Sequence, residues 1–157
     1  ALAEFNVWLD PEAAQAVLDC NIPFTFVTLD ATHSAYVTME DAARFRAIGT
    51  RPAEVVASLC EQRIAGYGEW QKVADVPAAP VHDPLTIAYL VDPTVITDIE
   101  DAPCVVDCGR GAASGVTLFD IRNGRAEAKA PNCRVALKAD REKYVDILCR
   151  LLENTKK

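Results

Sequence analysis

Apolar positions recur along this chain in two periods, one helical and one strand-like, and polar residues punctuate them. Asp10 is a good N-cap and Pro11 a good first helical residue, so a helix is predicted from Pro11 to about Asp19, with Ala14, Val17 and Leu18 toward the core. Asn21 and Pro23 stop it. Phe24 to Leu29 is a compact β-prone run of the kind buried in a parallel sheet. Asp30, Thr32 and His33 follow just past its end, where open α/β sheets bind ligands. Thr38 to Ile48 reads as a helix with Thr38 as N-cap, Asp41 in a near capping box and Gly49 as its stop.

Thr50-Arg51-Pro52 starts a further helix, in which Val55, Val56, Leu59 and Ile64 supply an apolar stripe until Gly66. Gly66 to Pro80 carries two Gly, two Pro, Tyr67 and Trp70, and suits a mobile loop over a pocket. Asp83 can cap a helix that begins at Pro84, runs through Leu85, Ile87, Ala88 and Leu90, and ends near Asp92-Pro93. Cys104 to Cys108 and Val116 to Arg122 are strand-like, and Asn123-Gly124 is a turn signal. Arg134 to Lys138 is another strand. Asp140 then caps a last amphipathic helix that buries Tyr144, Val145, Leu148, Leu151 and Leu152.

With 157 residues, half of them hydrophobic, the chain is long enough for one domain with a real core, and no repeat or internal boundary is apparent. A net charge of -7 argues against nucleic acid as a partner, since phosphate-backbone binders rely on excess Lys and Arg. The longest apolar stretch, Leu85 to Val91, falls far short of the roughly 20 residues of a membrane span, so no membrane partner is expected. No signal peptide is readable. The chain starts at Ala1 directly on a loaded motif, which reads as a piece of something longer. Cys20, Cys60, Cys104, Cys108, Cys133 and Cys149 lack the dense spacing of a disulfide scaffold, so reduced thiols in an intracellular compartment are expected.

Three polar clusters carry candidate chemistry. Asp83 is either an ordinary helix cap or, at a helix N-terminus that favours anions, an oxygen ligand for a hard cation such as calcium. His33 and His82, the only two histidines, are ligands, bases or satisfied core residues. Zinc held by them with Cys104 and Cys108 is disfavoured, because those cysteines lie on a strand-like run. Gly109-Arg110-Gly111 is read as a tight turn rather than a phosphate loop. Glu4 and Asn6 alternate around Phe5, and in an extended segment they point to one side, either into solvent or as hydroxyl binders.

At Ala3-Glu4-Phe5-Asn6, Asp10-Pro11-Glu12-Ala13-Ala14, Leu29-Asp30-Ala31-Thr32-His33, Pro80-Val81-His82-Asp83-Pro84 and Ala88-Tyr89-Leu90-Val91-Asp92-Pro93, the chain resembles the inosine-uridine preferring nucleoside hydrolases. The likeness runs from about Ala1 through Leu152 and covers the carboxyl-terminal half of that family. It implies an α/β fold over residues 1–157: an open, mostly parallel sheet flanked by helices, with a β-hairpin before the last strand and helix. It also implies calcium-dependent hydrolysis of the N-glycosidic bond of ribonucleosides to ribose and free base, the chemistry of purine salvage. Asp83 is then a calcium ligand, Glu4 and Asn6 with Phe5 contact the ribose, and His82 is a general acid near the leaving base. Tyr67 and Trp70 cover the nucleobase.

The family's amino-terminal half carries an Asp-rich motif, DTDPGxDD, that supplies most calcium ligands and the water-activating base, and the present sequence contains no such motif. The missing half is therefore an implied partner, and the isolated chain is expected to be inactive and to self-associate or to need that half. A cytoplasmic homo-oligomer completes the expectation. Two competing readings stand beside it: a non-catalytic nucleoside- or ribose-binding remnant or regulatory module, and a structural α/β domain in which Asp10, Asp83 and Asp140 only cap helices.

Overall fold

Side-chain caps set most of the helix starts in the computed structural model, which describes residues 2–68, 71–122 and 129–156. Glu4 opens α1 (Phe5–Leu9) by accepting from the backbone N–H groups of Asn6 and Val7. Asp10 opens α2 (Pro11–Asp19) by accepting from Ala13 N–H at 2.9 Å. β1 (Thr25–Val27) leads into α3 (Leu29–Ser34), and β2 (Tyr36–Thr38) into α4 (Met39–Ala47), where Thr38 and Asp41 close a complete capping box. Gly49, at φ 76°, turns the chain into α5 (Arg51–Tyr67), capped by Thr50. β3 (Ala78–Pro80), α6 (His82–Val91), β4 (Ile96–Ala102), β5 (Cys104–Val106), β6 (Thr117–Phe119) and β7 (Cys133–Ala139) follow, before Asp140 caps α7 (Arg141–Glu153).

The fold is α/β with open sheets. Strands β1, β7 and β4 form a three-stranded sheet in that order, while β2–β3 and β5–β6 are antiparallel pairs. The chain divides into two compact units, the first Ala1–Phe26 with Ile99–Ala136, the second Val27–Asp98 with Leu137–Lys157.

In the first unit Leu18, Cys104, Val106 and Cys133 are the buried centre. Phe24, Phe26 and Phe119 stack edge-to-face on it, each successive pair 5.2 Å between centroids. Two amides satisfy the β5 backbone: Gln15 Oε1 accepts from Val106 N–H at 2.8 Å, and Asn132 both accepts from Cys104 N–H and donates to its carbonyl. Gly115 sits at φ 79°, and a Cβ there would lie 2.6 Å from the Cα of Trp8. The atoms it meets first are the Cα and N of Trp8, backbone that cannot rotate aside. Gly115→Ala is expected to destabilise by about 2 kcal/mol or more, from the positive φ plus the clash, and an unchanged melting temperature would contradict this.

The second unit is built around Phe45, Val37, Leu85, Tyr144, Val145 and Ile147, all fully buried. α5 faces inward through Ala53, Ala57, Cys60 and Ile64, and the small Ala53, Ala57 and Cys60 let α4 and α5 approach closely. Burial, with the nearby charges of Asp41 and Glu61, pushes the Cys60 thiol up to about 11. Between pH 9 and 11 the unfolded chain then loses a proton that the folded state keeps, so this contribution to stability is full below 9 and fades as pH rises. In the first unit, burial pushes Cys104 up to about 12. Iodoacetamide at about pH 8, below the ordinary thiol value of about 8.5, is therefore expected to label exposed Cys20 and spare both. Peptide mass spectrometry showing equal labelling would contradict the burial argument.

Several sequence expectations are corrected. Val17, Val55, Leu59, Ile87 and Leu90 are exposed, so α2, α5 and α6 bury narrower faces than predicted. Leu29 begins α3 rather than ending a strand, which carries Asp30, Thr32 and His33 onto a helix. Tyr36–Thr38, Ala78–Pro80 and Ile96–Ala102 are strands that the pattern did not predict. A hairpin does precede the last strand and helix, connected between β5 and β6, while the Asn123-Gly124 turn lies outside the described residues.

Candidate functional site

The entry to α6 is held from three directions within the second unit. β3 pairs with β2, setting Pro80 opposite Tyr36. One residue later, Val81 O accepts the hydroxyl proton of Tyr144 at 3.1 Å, fixing the approach to His82. Across from it, the buried Thr32 of α3 brings Oγ1 to 2.9 Å from His82 Nδ1.

The other ring nitrogen, Nε2, has Arg63 Nη2 at 3.5 Å. Arg63 in turn lies over the Tyr67 ring, 4.9 Å from guanidinium carbon to centroid, a cation–π contact one helical turn apart on α5. Tyr67 Oη meets His33 Nε2 at 3.0 Å and donates to Gln71 Oε1 at 3.3 Å. The two imidazoles are 5.9 Å apart. A cavity of about 270 Å³ is lined by Arg63, Pro80, Val81, His82, Asp83 and Pro84. The arrangement unites an imidazole, a guanidinium, a carboxylate and a phenol, which together can exchange a proton, hold an anion and stack on a flat ring.

Asp83 is not the N-cap of α6. Val81 occupies that position without a side-chain cap, because the helix begins two residues earlier than the Pro84 start, and Asp83 is exposed in the first turn. Its carboxylate is thereby left free of the capping role. Among the described residues no three or more His, Cys, Asp or Glu cluster as metal ligands. Calcium takes six to eight oxygens, so the residues present do not by themselves make up a calcium site.

In the first unit Asn6 Nδ2 donates to Glu4 Oε1 at 3.1 Å, so these two side chains do meet. The route differs from the extended segment expected: Glu4 is the N-cap of α1 and Asn6 lies inside that helix. Glu4 Oε2 is engaged by backbone N–H groups. Phe5 is exposed and lies 6.3 Å from Trp8 between centroids.

Tyr67 lies on the last turn of α5, not on a flexible loop, since that helix continues past Gly66. Trp70 lies outside the described residues. Sequence reasoning missed Arg63 altogether and placed Thr32 only at a ligand-binding strand end, without a contact to His82. The signal for Arg63 was its place on the predicted helix, four residues before Tyr67.

The profile of the inosine-uridine preferring nucleoside hydrolase family matches residues 1–146. The chain is 38% identical over 151 residues to the pyrimidine-specific ribonucleoside hydrolase RihA of Escherichia fergusonii and, equally, of Escherichia coli K12, covering 96% of this chain and 47% of each relative. It thus spans about half the length of the curated relatives it matches. Among solved structures it is similar to a plant nucleoside hydrolase, with a TM-score of 0.80 at 25% identity, over 97% of this chain and 48% of that one. A purine-preferring ribonucleoside hydrolase from Gardnerella vaginalis gives a TM-score of 0.79 at 25% identity, over 98% and 48%. The match of the family profile across nearly the whole sequence settles the lineage: this chain belongs to the inosine-uridine preferring nucleoside hydrolase family.

Proposed function

We propose that this chain forms one part of the active site of an enzyme that hydrolyses the N-glycosidic bond of ribonucleosides. The observation that carries the reading is the His82 imidazole, fixed by Thr32 and opening with Asp83 and Arg63 onto one cavity. In the reaction, water oxygen bonds to the anomeric carbon and gives up its proton to a base on polypeptide corresponding to the stretch of the relatives that this chain does not span. The C–N electron pair moves onto the base nitrogen, which takes a proton from His82. Glu4 and Asn6, with Phe5, are assigned to the ribose, and Tyr67 and Trp70 to the nucleobase, as the family resemblance implies.

Calcium is assigned to the same reading, with Asp83 as one ligand and the remaining ligands on polypeptide corresponding to the stretch of the relatives that this chain does not span. When bound, such an ion would polarise water and engage sugar hydroxyls. The exposed Asp83 carboxylate supports this. Six free thiols support a reducing, cytoplasmic setting. The exposed Val105 and Leu118 of the β5–β6 pair support self-association, as in a homo-oligomer.

A second reading, nucleoside binding without turnover, is favoured by one observation: the cavity lining contains a single carboxylate. A chimera in which this chain replaces the matching segment of RihA separates the two. Turnover of uridine or inosine by the chimera, with none by the isolated chain, is the expected result. A folded chimera that binds nucleoside in calorimetry and never hydrolyses it would sink the enzymatic reading.

A further inference from the structure

Arg63 is exposed on α5, and among the described residues no carboxylate lies within ion-pair distance of its guanidinium. What holds it is Tyr67, whose ring centroid is 4.9 Å from the guanidinium carbon. Tyr67 is in turn anchored at its hydroxyl, 3.0 Å from His33 Nε2 and 3.3 Å from Gln71 Oε1. A guanidinium resting over a ring keeps the donors on its edge for other partners. One of these edge nitrogens, Nη2, stands beside His82, and both residues line the same cavity.

That cavity is where the leaving base is served in the proposed hydrolysis. A guanidinium carries N–H donors, no lone pair and a charge it does not lose. It therefore pairs with a base edge that presents acceptors, such as O6 and N7 of a 6-oxopurine, and meets donor with donor where an amino group replaces the oxygen. Uracil, with its O4 acceptor, and cytosine, with an amino group at the same place, make the same contrast. The proton that His82 gives to the base is a donor as well, so the two residues ask for acceptors together. The carboxylate on the lining, Asp83, is assigned to the metal.

We infer that Arg63 is a specificity-determining residue that reads the leaving base, favouring oxo bases over the amino bases of the same ring system. As a statement about catalysis this rests on the hydrolase reading. Recognition of the base needs no turnover.

In the RihA chimera, kcat/KM is expected to favour inosine over adenosine and uridine over cytidine by about tenfold each. Arg63→Met keeps the length of the side chain and removes its donors, at an exposed position where folding should survive. It should lower kcat/KM for inosine and uridine about tenfold and leave adenosine and cytidine nearly unchanged. Arg63→Gln should move the preference toward adenosine, since an amide pairs with the amino group and N7 of adenine. Equal losses on all four substrates, or a wild-type preference for amino bases, overturn the inference. NMR titration of this chain with free bases provides the second readout: hypoxanthine should bind about tenfold more tightly than adenine, and Arg63→Met should bring the two together. Equal affinities in the unmodified chain overturn the inference even if the chimera is inactive. An Arg63-dependent preference for hypoxanthine in a folded chimera that never hydrolyses nucleosides counts against the hydrolase reading and not against Arg63 as the reader of the base.

Discussion

His82→Ala in the RihA chimera is expected to lower kcat for a natural ribonucleoside by roughly 100- to 10,000-fold, the range for removing a general acid. KM should move little. The imidazole helps most when the base nitrogen acquires the C–N electron pair, so its loss weakens the transition state more than the bound substrate, and kcat and kcat/KM fall together. His82→Gln should not rescue, since an amide offers hydrogen bonds and no exchangeable proton of suitable acidity. Steady-state kinetics with uridine and inosine check this, and wild-type kcat in the alanine variant would remove His82 from the chemistry.

Asp41→Ala is expected to cost about 3–5 kcal/mol of stability, as when one partner of a buried ion pair is deleted. Asp41 is only 3% exposed and pairs with Arg141 of α7, whose guanidinium also lies 4.9 Å over the Tyr36 ring. The same carboxylate accepts from the backbone N–H of Thr38 at 2.9 Å and from its hydroxyl at 2.8 Å, closing the α4 cap. Alanine would thus unmake a cap and strand a cation whose Nε is already buried without a hydrogen-bond partner. Against a typical total of about 5–15 kcal/mol, that is a large fraction. Asp41→Asn, which keeps an acceptor for Thr38, should cost less. Urea denaturation reads both, and a loss below about 1 kcal/mol in the alanine variant would mean that the pair contributes nothing net. Because α7 also carries Tyr144, whose hydroxyl holds Val81, the Asp41–Arg141 pair is one support of the segment that presents His82.

What could be read from the sequence was local. Asp10, Thr38, Thr50 and Asp140 announce their helices because an N-cap acts within three residues, and each does cap as expected. Strands β2 and β3, three residues each, carry too little pattern to stand out, and β4 reads Ile-Thr-Asp-Ile-Glu-Asp-Ala, with Asp98 and Asp101 open to solvent and Glu100 half-buried. The α5 face went to Ala53, Ala57 and Cys60 rather than to Val55 and Leu59, because close helix packing selects for small size as well as apolarity.

The site follows the same division. His82 and Asp83 were found through a contiguous motif. Thr32 and Arg63 meet His82 from 50 and 19 residues away, and such contacts depend on β2 pairing with β3 and on how α5 lies against α6, neither of which the pattern predicts. Glu4 and Asn6 were singled out, yet the reason they meet is a helix start and not a strand end.

The claim at the centre is that His82 acts at the leaving base. Comparing His82→Ala with the unmodified chimera on two substrates tests it most directly: inosine, whose base needs a proton to depart, and p-nitrophenyl riboside, whose phenolate departs without one. The account predicts a loss of at least about 100-fold on inosine and little change on the activated riboside. Equal losses on both would contradict it.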